Sequence, residues 1–333
     1  MKKNNMYFKL YSDNVIIKGA KNYLIYDLTL SRIKEIPELL FFVIKECEIM
    51  TYEQVKIKNK DIKKGIDTYI NHLINDNWGT FVSDVAAFPE INFEYLRPSK
   101  ISHAIIELNF NETHKKTHQK AIFELMNFNC NHIQFIISDK KKSEYFDFIN
   151  KIIYKSNFTS VIIKSQFDGN EYDEQKIRCY LQNNKRIKKI FFFDADVEKT
   201  IIISEPFTSK LILTKQPMNT CSVKQPVYIL NRLFFYESLH KNNCLNGKIC
   251  IDKNGNVKNC LYIDEIFGNI KKNSIKSIID NTKFCNLWDL SKDKIEICKD
   301  CEFRYMCFDC RFLLSDKANT ISKPLFCNYN PYE

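Results

Sequence analysis

Polar and apolar positions divide the chain into three differently patterned stretches. In the first, short apolar-rich runs at 6–11, 14–18 and 22–27 are separated by Ser12-Asp13 and Gly19-Ala20, which predicts a small antiparallel sheet. Ile36-Pro37-Glu38 then opens a helix through Leu39, Leu40, Val43 and Ile44, proline being suited to a first turn where its missing N–H costs nothing. A weaker helical stretch follows at 51–58. Ile66, Tyr69, Ile70, Leu73 and Ile74 recur at the spacing of one helical face. Asn77-Trp78-Gly79 ends that helix, and 80–83 reads as a returning wing strand. Strands, three helices and a wing predict a winged-helix α+β unit over 1–90.

Between 101 and 240 apolar runs alternate with amphipathic helices. Strands are expected at 103–108, 133–138, 160–164, 189–194 and 200–204, with helices at 115–128, 142–155 and 172–183 between the first four. Further strand candidates lie at 210–214 and 227–230. The alternation predicts an α/β segment of parallel βα units, too short for eight of them and therefore a partial (β/α) barrel or open sheet.

The last stretch, 241–333, holds nine of the thirteen cysteines. Their order is Cys244-x5-Cys250-x9-Cys260, a gap containing Cys285, then Cys298-x2-Cys301-x5-Cys307-x2-Cys310, and finally Cys327. Gly255, inside Asp-Lys-Asn-Gly-Asn-Val, marks a turn that folds Cys250 and Cys260 toward each other. Tight turns between near ligands and long arms for distant ones are what a converging thiolate site requires. The basic start Met1-Lys2-Lys3 leads into no apolar segment of a secretory signal. Disulfides are therefore disfavoured, and the thiols fit a reducing cytoplasmic setting. Two metal chemistries remain open: one zinc ion on Cys298-x2-Cys301 with Cys307-x2-Cys310, or iron–sulfur clusters, since soft thiolates suit both. Cys285 reads as a small buried apolar residue.

Composition removes other classes. A chain of 333 residues can bury cores for two or three domains. Its net charge of +10 is spread without an arginine cluster or lysine stripe, so no nucleic-acid partner is expected. No apolar run approaches the ~20 residues of a membrane helix, so no membrane partner is expected either. Between 80 and 246 the only glycine is Gly169, leaving no backbone cradle for a nucleotide. Neither Gly-x-Ser-x-Gly nor His-Glu-x-x-His occurs. His114 and His118 read as solvent-facing rather than as a metal pair, and Asp194 and Asp196 as a solvated turn.

The cysteine pattern resembles the SPASM domain, the C-terminal extension of many radical-SAM peptide-modifying enzymes. That family runs Cys, a spacer, Gly-x4-Cys, a gap, Cys-x2-Cys-x5-Cys-x3-Cys, a gap, and Cys. Cys244, Gly255-x4-Cys260, Cys298-x2-Cys301-x5-Cys307, Cys310 and Cys327 follow it, with Cys250 at a further frequent position; the step from Cys307 to Cys310 is one residue shorter. The resemblance implies a SPASM iron–sulfur domain over 241–333 with two 4Fe–4S clusters, one on Cys244, Cys250, Cys260 and Cys310, the other on Cys298, Cys301, Cys307 and Cys327.

The whole chain is similar to the peptide maturases of grasp-with-SPASM ribosomal-peptide systems, through this tail and through Gly19-Ala-Lys-Asn-Tyr-Leu-Ile-Tyr-Asp-Leu28 followed by Ile36-Pro37. This implies that 1–90 recognises a ribosomal precursor peptide by strand addition, in a groove formed by Tyr23, Leu24, Ile25 and Tyr26 of the third strand and Ile66 and Ile70 of the third helix. It also implies a degenerate radical-SAM-like partial barrel over 101–240 and an ATP-grasp ligase as partner. Radical-SAM members carry Cys-x3-Cys-x2-Cys after the first barrel strand, whereas 109–118 contains no cysteine. Ser138-Asp-Lys-Lys-Lys142 stands where a Gly-Gly-Glu-like loop would help hold the cofactor. No S-adenosylmethionine is expected, and no catalytic residue is assigned. The expected role is recognition of the precursor and its presentation to the ligase. The alternatives are an iron–sulfur redox or electron-transfer enzyme acting on the peptide, and a zinc-stapled interaction protein.

Overall fold

The computed structural model describes residues 5–88, 90–109, 112–138, 142–203, 208–218, 221 and 223–333, with the side chains of 112–114 and 142–143 left out. The chain forms two compact units, each assembled from separated segments. The first comprises Met1–Leu96, Gln225–Asn243 and Leu290–Glu333; the second comprises Arg97–Lys224 and Cys244–Asp289.

In the first unit, β1 (Tyr7–Leu10) precedes β2 (Asn14–Lys18), β3 (Tyr23–Asp27) and β4 (Arg32–Ile36). Helices α1 (Glu38–Cys47), α2 (Tyr52–Lys58) and α3 (Lys63–Asn75) follow, then β5 (Gly79–Val82). Pro37 stands just before α1 without a side-chain cap, and a Thr51–Gln54 capping box fixes the start of α2. Pairing differs from the expected sheet. β1 pairs antiparallel with β5, while β2, β3 and β4 form a separate three-stranded sheet in that order. β4 went unread because Arg32-Ile-Lys-Glu-Ile36 carries only two apolar side chains, the minimum that a half-exposed edge strand needs.

β3 is buried along its whole length. Its alternating side chains feed two cores. Tyr23 and Ile25 pack with Ile36, Leu40, Ile44, Ile66, Ile70 and Leu73 on the helical side. Leu24 and Tyr26 pack with Leu230, Phe235, Tyr305 and Met306 on the other. A strand with apolar residues on both faces is the signature of such a sandwiched position.

The second unit is built on a nine-stranded sheet. β6 (His103–Leu108), β7 (His132–Ile137), β8 (Ser160–Gln166) and β9 (Ile187–Phe193) run parallel, linked by α4 (Glu112–Asn127), α5 (Lys142–Tyr154) and α6 (Glu174–Asn183). β10 (Lys199–Ile203) and β11 (Ser209–Leu213) extend the sheet beyond β9. The expected strand at 227–230 is reduced to one bridge between Tyr228 and Cys307 in the first unit, just before α7 (Arg232–His240). On the opposite edge, β12 (Lys248–Ile251) pairs parallel with β6 and is followed antiparallel by β13 (Asn256–Lys258) and β14 (Gly268–Asn269). Short helices α8 (Ile275–Ile279) and α9 (Thr282–Cys285) complete the unit.

The strand order runs from β10 at one edge to β14 at the other, so among the described residues the sheet does not close into a barrel. One face is apolar at every second position. Ala104, Ile106, Ile133, Phe135, Val161 and Ile163 share a core with Ile122 and Leu125 of α4 and Tyr145 and Ile149 of α5. The other face carries Glu107, Gln134 and Lys164, each half-buried.

Candidate metal centre

In the second unit the thiols are carried on the β12–β13 hairpin. Cys250 sits in β12 opposite Lys258, and Cys260 follows β13. The turn between them depends on Gly255, whose φ of +84° is a conformation L side chains avoid and whose missing Cβ would stand 3.0 Å from Ile270 Cγ1. Cys250 is fully buried, its Sγ 3.5 Å from the Asn259 carbonyl. Lys248 reaches from β12 to place Nζ 3.2 Å from Cys244 Sγ. Burial opposes the charge on Lys248, but Cys244, Cys250 and Cys260 outweigh it and hold the ammonium well above the usual lysine range. Cys244 thus touches the ammonium, and Cys250 and Cys260 bear on it electrostatically.

The first unit builds its group from loops. Cys298 opens a 3-10 turn, Cys298–Asp300, which brings the Cys301 N–H onto the Cys298 carbonyl at 3.0 Å. Cys307 is held by its N–H on the Phe303 carbonyl at 3.0 Å. Lys292 places Nζ 3.9 Å from Cys298 Sγ and 3.8 Å from Cys307 Sγ. Burial pushes the Cys298 thiol up to about 11 and the Cys301 thiol up to about 12. Burial also raises Cys307, with Lys292 working against it. Cys327 bears electrostatically on both Cys298 and Cys307. The four cysteines expected for one cluster thus share one region of one unit.

Of the other expected set, Cys310 belongs to the first unit and is buried, whereas Cys244, Cys250 and Cys260 belong to the second. Cys285 packs against the same core as Cys244 and Cys260. It is half-buried at the end of α9 with Sγ 3.5 Å from the Ile279 carbonyl, less enclosed than the expected buried apolar residue. Among the described residues no three Cys, His, Asp or Glu side chains close on the position of a single ion. The donor set is instead soft, with Cys250, Cys298, Cys307 and Cys310 buried and Cys244, Cys260, Cys301 and Cys327 half-buried. Its chemistry fits iron–sulfur binding, in which several metal atoms separate the thiolates.

The supporting residues carried no motif. Asp309 accepts from Asn242 Nδ2 at 2.5 Å and from Arg311, and lies 3.6 Å from Lys292 Nζ. Asn243 holds the same loop, donating to the Cys307 carbonyl at 3.1 Å and accepting from the Asp309 N–H at 2.8 Å. The sequence signal was position: Asn243 and Arg311 adjoin cysteines, and Asp309 lies between Cys307 and Cys310.

Other expected residues are placed differently. Tyr23, Leu24, Ile25 and Tyr26 form the central strand of their sheet, hydrogen-bonded on both sides and buried, so they offer no edge and no groove. Ile66 and Ile70 are 3% and 0% exposed on the inward face of α3. The apolar character of these six positions reflects their core packing. His118, expected at the surface, is buried with Nε2 3.4 Å from the Asp252 carbonyl; the side chain of His114 lies outside the described residues. Asp194 and Asp196 are exposed at a turn, as expected. Of the 109–118 stretch, residues 110 and 111 lie outside the described residues, as do 139–141 of the other loop.

No curated protein matches the chain. Three solved structures of SuiB from Streptococcus suis are similar at low level. The form bound to S-adenosylmethionine shares 10% identity at a TM-score of 0.36, covering 95% of this chain and 98% of that one. A second SuiB structure shares 9% identity at 0.36, covering 96% and 100%. The form bound to precursor peptide SuiA shares 11% at 0.34, covering 97% and 100%. Residues 243–302, which hold six of the cysteines, match the SPASM family model, an iron–sulfur cluster-binding domain.

Proposed function

We propose that the chain takes part in maturing a ribosomally made peptide, recognising the precursor and presenting it to an ATP-grasp ligase. In this reading it carries two SPASM-type 4Fe–4S clusters and no S-adenosylmethionine radical site. The observation that carries it is the approach of half-buried Cys244 to Lys248 and of buried Cys298 and Cys307 to Lys292, within and just beyond the segment that matches an iron–sulfur domain. Cys298, Cys301, Cys307 and Cys327 would hold one cluster. Cys244, Cys250 and Cys260, with Cys310, would hold the other. Bound clusters would supply folding energy and, if redox-active, one-electron chemistry. The stretch 109–118, without a cysteine, supports the absence of a radical site.

Recognition falls to β4 in place of β3. Among the described residues β4 pairs only with β3, so its outer edge is free for an added peptide strand. Ile33 is 40% exposed on the face of β4 it shares with its partner Tyr26, and Tyr69 is 45% exposed on α3 at the opposite face, so each would meet a different side chain of an added strand. Lys34 binds Asp76 just past α3 at 2.8 Å, which fixes the strand against the helix.

The test has two steps on the full chain. Anaerobic reconstitution with iron and sulfide should give iron with matching sulfide and a broad charge-transfer band; zinc without colour would remove the cluster reading. Calorimetry with the small peptides encoded beside the chain's gene should then show binding that Ile33→Asp abolishes with the metal content unchanged. Turnover of the peptide by the reconstituted chain alone would replace presentation with catalysis.

A further inference from the structure

Lys292 is 3% exposed at its side chain, and lysine is rarely buried unless paired. Its carboxylate partner, Asp309, is 1% exposed and 3.6 Å away, but Asp309 is also bound by Arg311, itself 1% exposed. Two buried cations therefore share one buried carboxylate. Glu302, also buried, lies on the side of Cys301 and is taken up by Asn22 and Tyr329. A net buried positive charge is costly unless something negative meets it. The other polar groups in contact with Lys292 Nζ are the thiols of Cys298 and Cys307. Their ionisation would supply the missing charge, and metal loading is what deprotonates a coordinating thiol outright. The same arrangement recurs in the second unit, where the amine of Lys248 meets Cys244 Sγ at 3.2 Å and is ion-paired to no described carboxylate.

We infer that Lys292 is a built-in counter-charge for the Cys298, Cys301, Cys307 and Cys327 set, stabilising its metal-loaded thiolate state, with Asp309 setting how much of that positive charge the set experiences. Lys248 has the same role toward Cys244, Cys250 and Cys260. Both are positioning residues. The inference rests on the reading of these thiols as metal ligands, and it predicts effects of opposite sign. Loss of the ammonium should make reduction of a bound cluster harder, because reduction adds negative charge to an already anionic group. Loss of the Asp309 carboxylate should make it easier.

The experiment uses the full chain with Lys292→Met, Lys292→Arg and Asp309→Asn. In reconstituted protein, a redox titration followed by paramagnetic resonance should place Lys292→Met below wild type in midpoint potential, Asp309→Asn above it, and Lys292→Arg close to it. In the metal-free chain, cobalt(II) titration followed by the sulfur-to-cobalt charge-transfer band should show at least a tenfold weaker site in Lys292→Met, restored by Lys292→Arg. A packing role would move Lys292→Met and Asp309→Asn the same way, and that result overturns the inference. So does a Lys292→Met protein identical to wild type in both measurements, or a wild type that forms no cobalt–thiolate band. A chain that takes cobalt but never assembles iron sinks the cluster reading alone, because the cobalt titration still decides the role of Lys292.

Discussion

The Tyr26 hydroxyl donates a 2.5 Å hydrogen bond to the Glu302 carbonyl, joining the central strand of the N-terminal sheet to the residue after Cys301. Burial pushes the Tyr26 phenol well above its usual range, so it remains a donor at any working pH. Around it, the Ala20 N–H donates to the Asp300 carbonyl at 2.7 Å and Arg304 donates to the Lys18 carbonyl at 2.8 Å. The β2–β3 hairpin and the Cys298–Cys301 turn are thus one packed feature, which gives the 19–28 stretch a structural reason for its distinctive sequence.

Tyr26→Phe removes the donor and leaves the Glu302 carbonyl buried without it, a loss of about 1–3 kcal/mol. Urea unfolding should register that loss. Metal content of the Cys298 group should fall with it, since the turn carrying Cys298 and Cys301 loses its brace; full metal content at reduced stability would show the turn is held by other contacts.

Gly19 sits where a Cβ would lie 2.6 Å from Glu302 Oε2 and 3.0 Å from the Asn22 carbonyl. Glu302 is itself 1% exposed and engaged by Asn22, so it has little room to yield. Gly19→Ala should therefore cost about 1–3 kcal/mol by overpacking, whereas Gly65→Ala, open within 4 Å, should not destabilise α3. Thermal melts of the two variants side by side test the contrast.

Replacing Cys298, Cys301 or Cys307 with serine should remove the iron of one cluster and leave that of the other, with a loss of solubility in the first unit. Replacing Cys250 should do the converse. Iron-to-protein ratios measured for each single variant decide it; loss of all iron from every variant would mean a single shared site.

His103 stacks on His132 with ring centroids 4.7 Å apart. Burial, then His132, Lys248 and Arg97, depress the His103 pKa to about 4. Its unfolded form takes up a proton near the ordinary value, so between that value and about 4 the unfolded state binds more protons and stability falls as pH falls. Above the ordinary histidine value both states are neutral and the contribution is flat. His103 as a residue is exposed, so solvent screens the effect. His103→Gln should flatten the slope of stability against pH in that window, measured by urea titration from pH 4 to 7.

Legibility followed the kind of signal each element sends. The βα segment was readable because buried parallel strands are near-continuous apolar runs, and β6, β8 and β11 lie where the pattern placed them to within about two residues. β4 was not readable, because an edge strand with charged alternate positions carries little apolar signal. The turn at Gly255 between Cys250 and Cys260 was legible from its residues. The lysines beside the thiols were not, since a lone Lys248 or Lys292 in a lysine-rich chain looks like surface. Burial was the hidden variable again at Tyr23–Tyr26, where an apolar run on both faces meant a strand between two cores.

The division of the chain also has consequences for its birth on the ribosome. The β6 edge waits for β12, whose partner residues in register are His103 and Lys248, and the first unit is incomplete until Leu290–Glu333 has been made. The helical-side core of the first unit, Phe8 to Trp78, can seal early, whereas the core of the second unit waits for residues up to Trp288 and the other face of β3 for Tyr305 and Met306. Such late, long-range closure folds slowly and leaves nascent strand edges exposed. A cell making this protein therefore has a window, set by translation speed, in which reduced cysteines and unsealed edges are open together. Chaperone supply and metal delivery in that window should govern its yield.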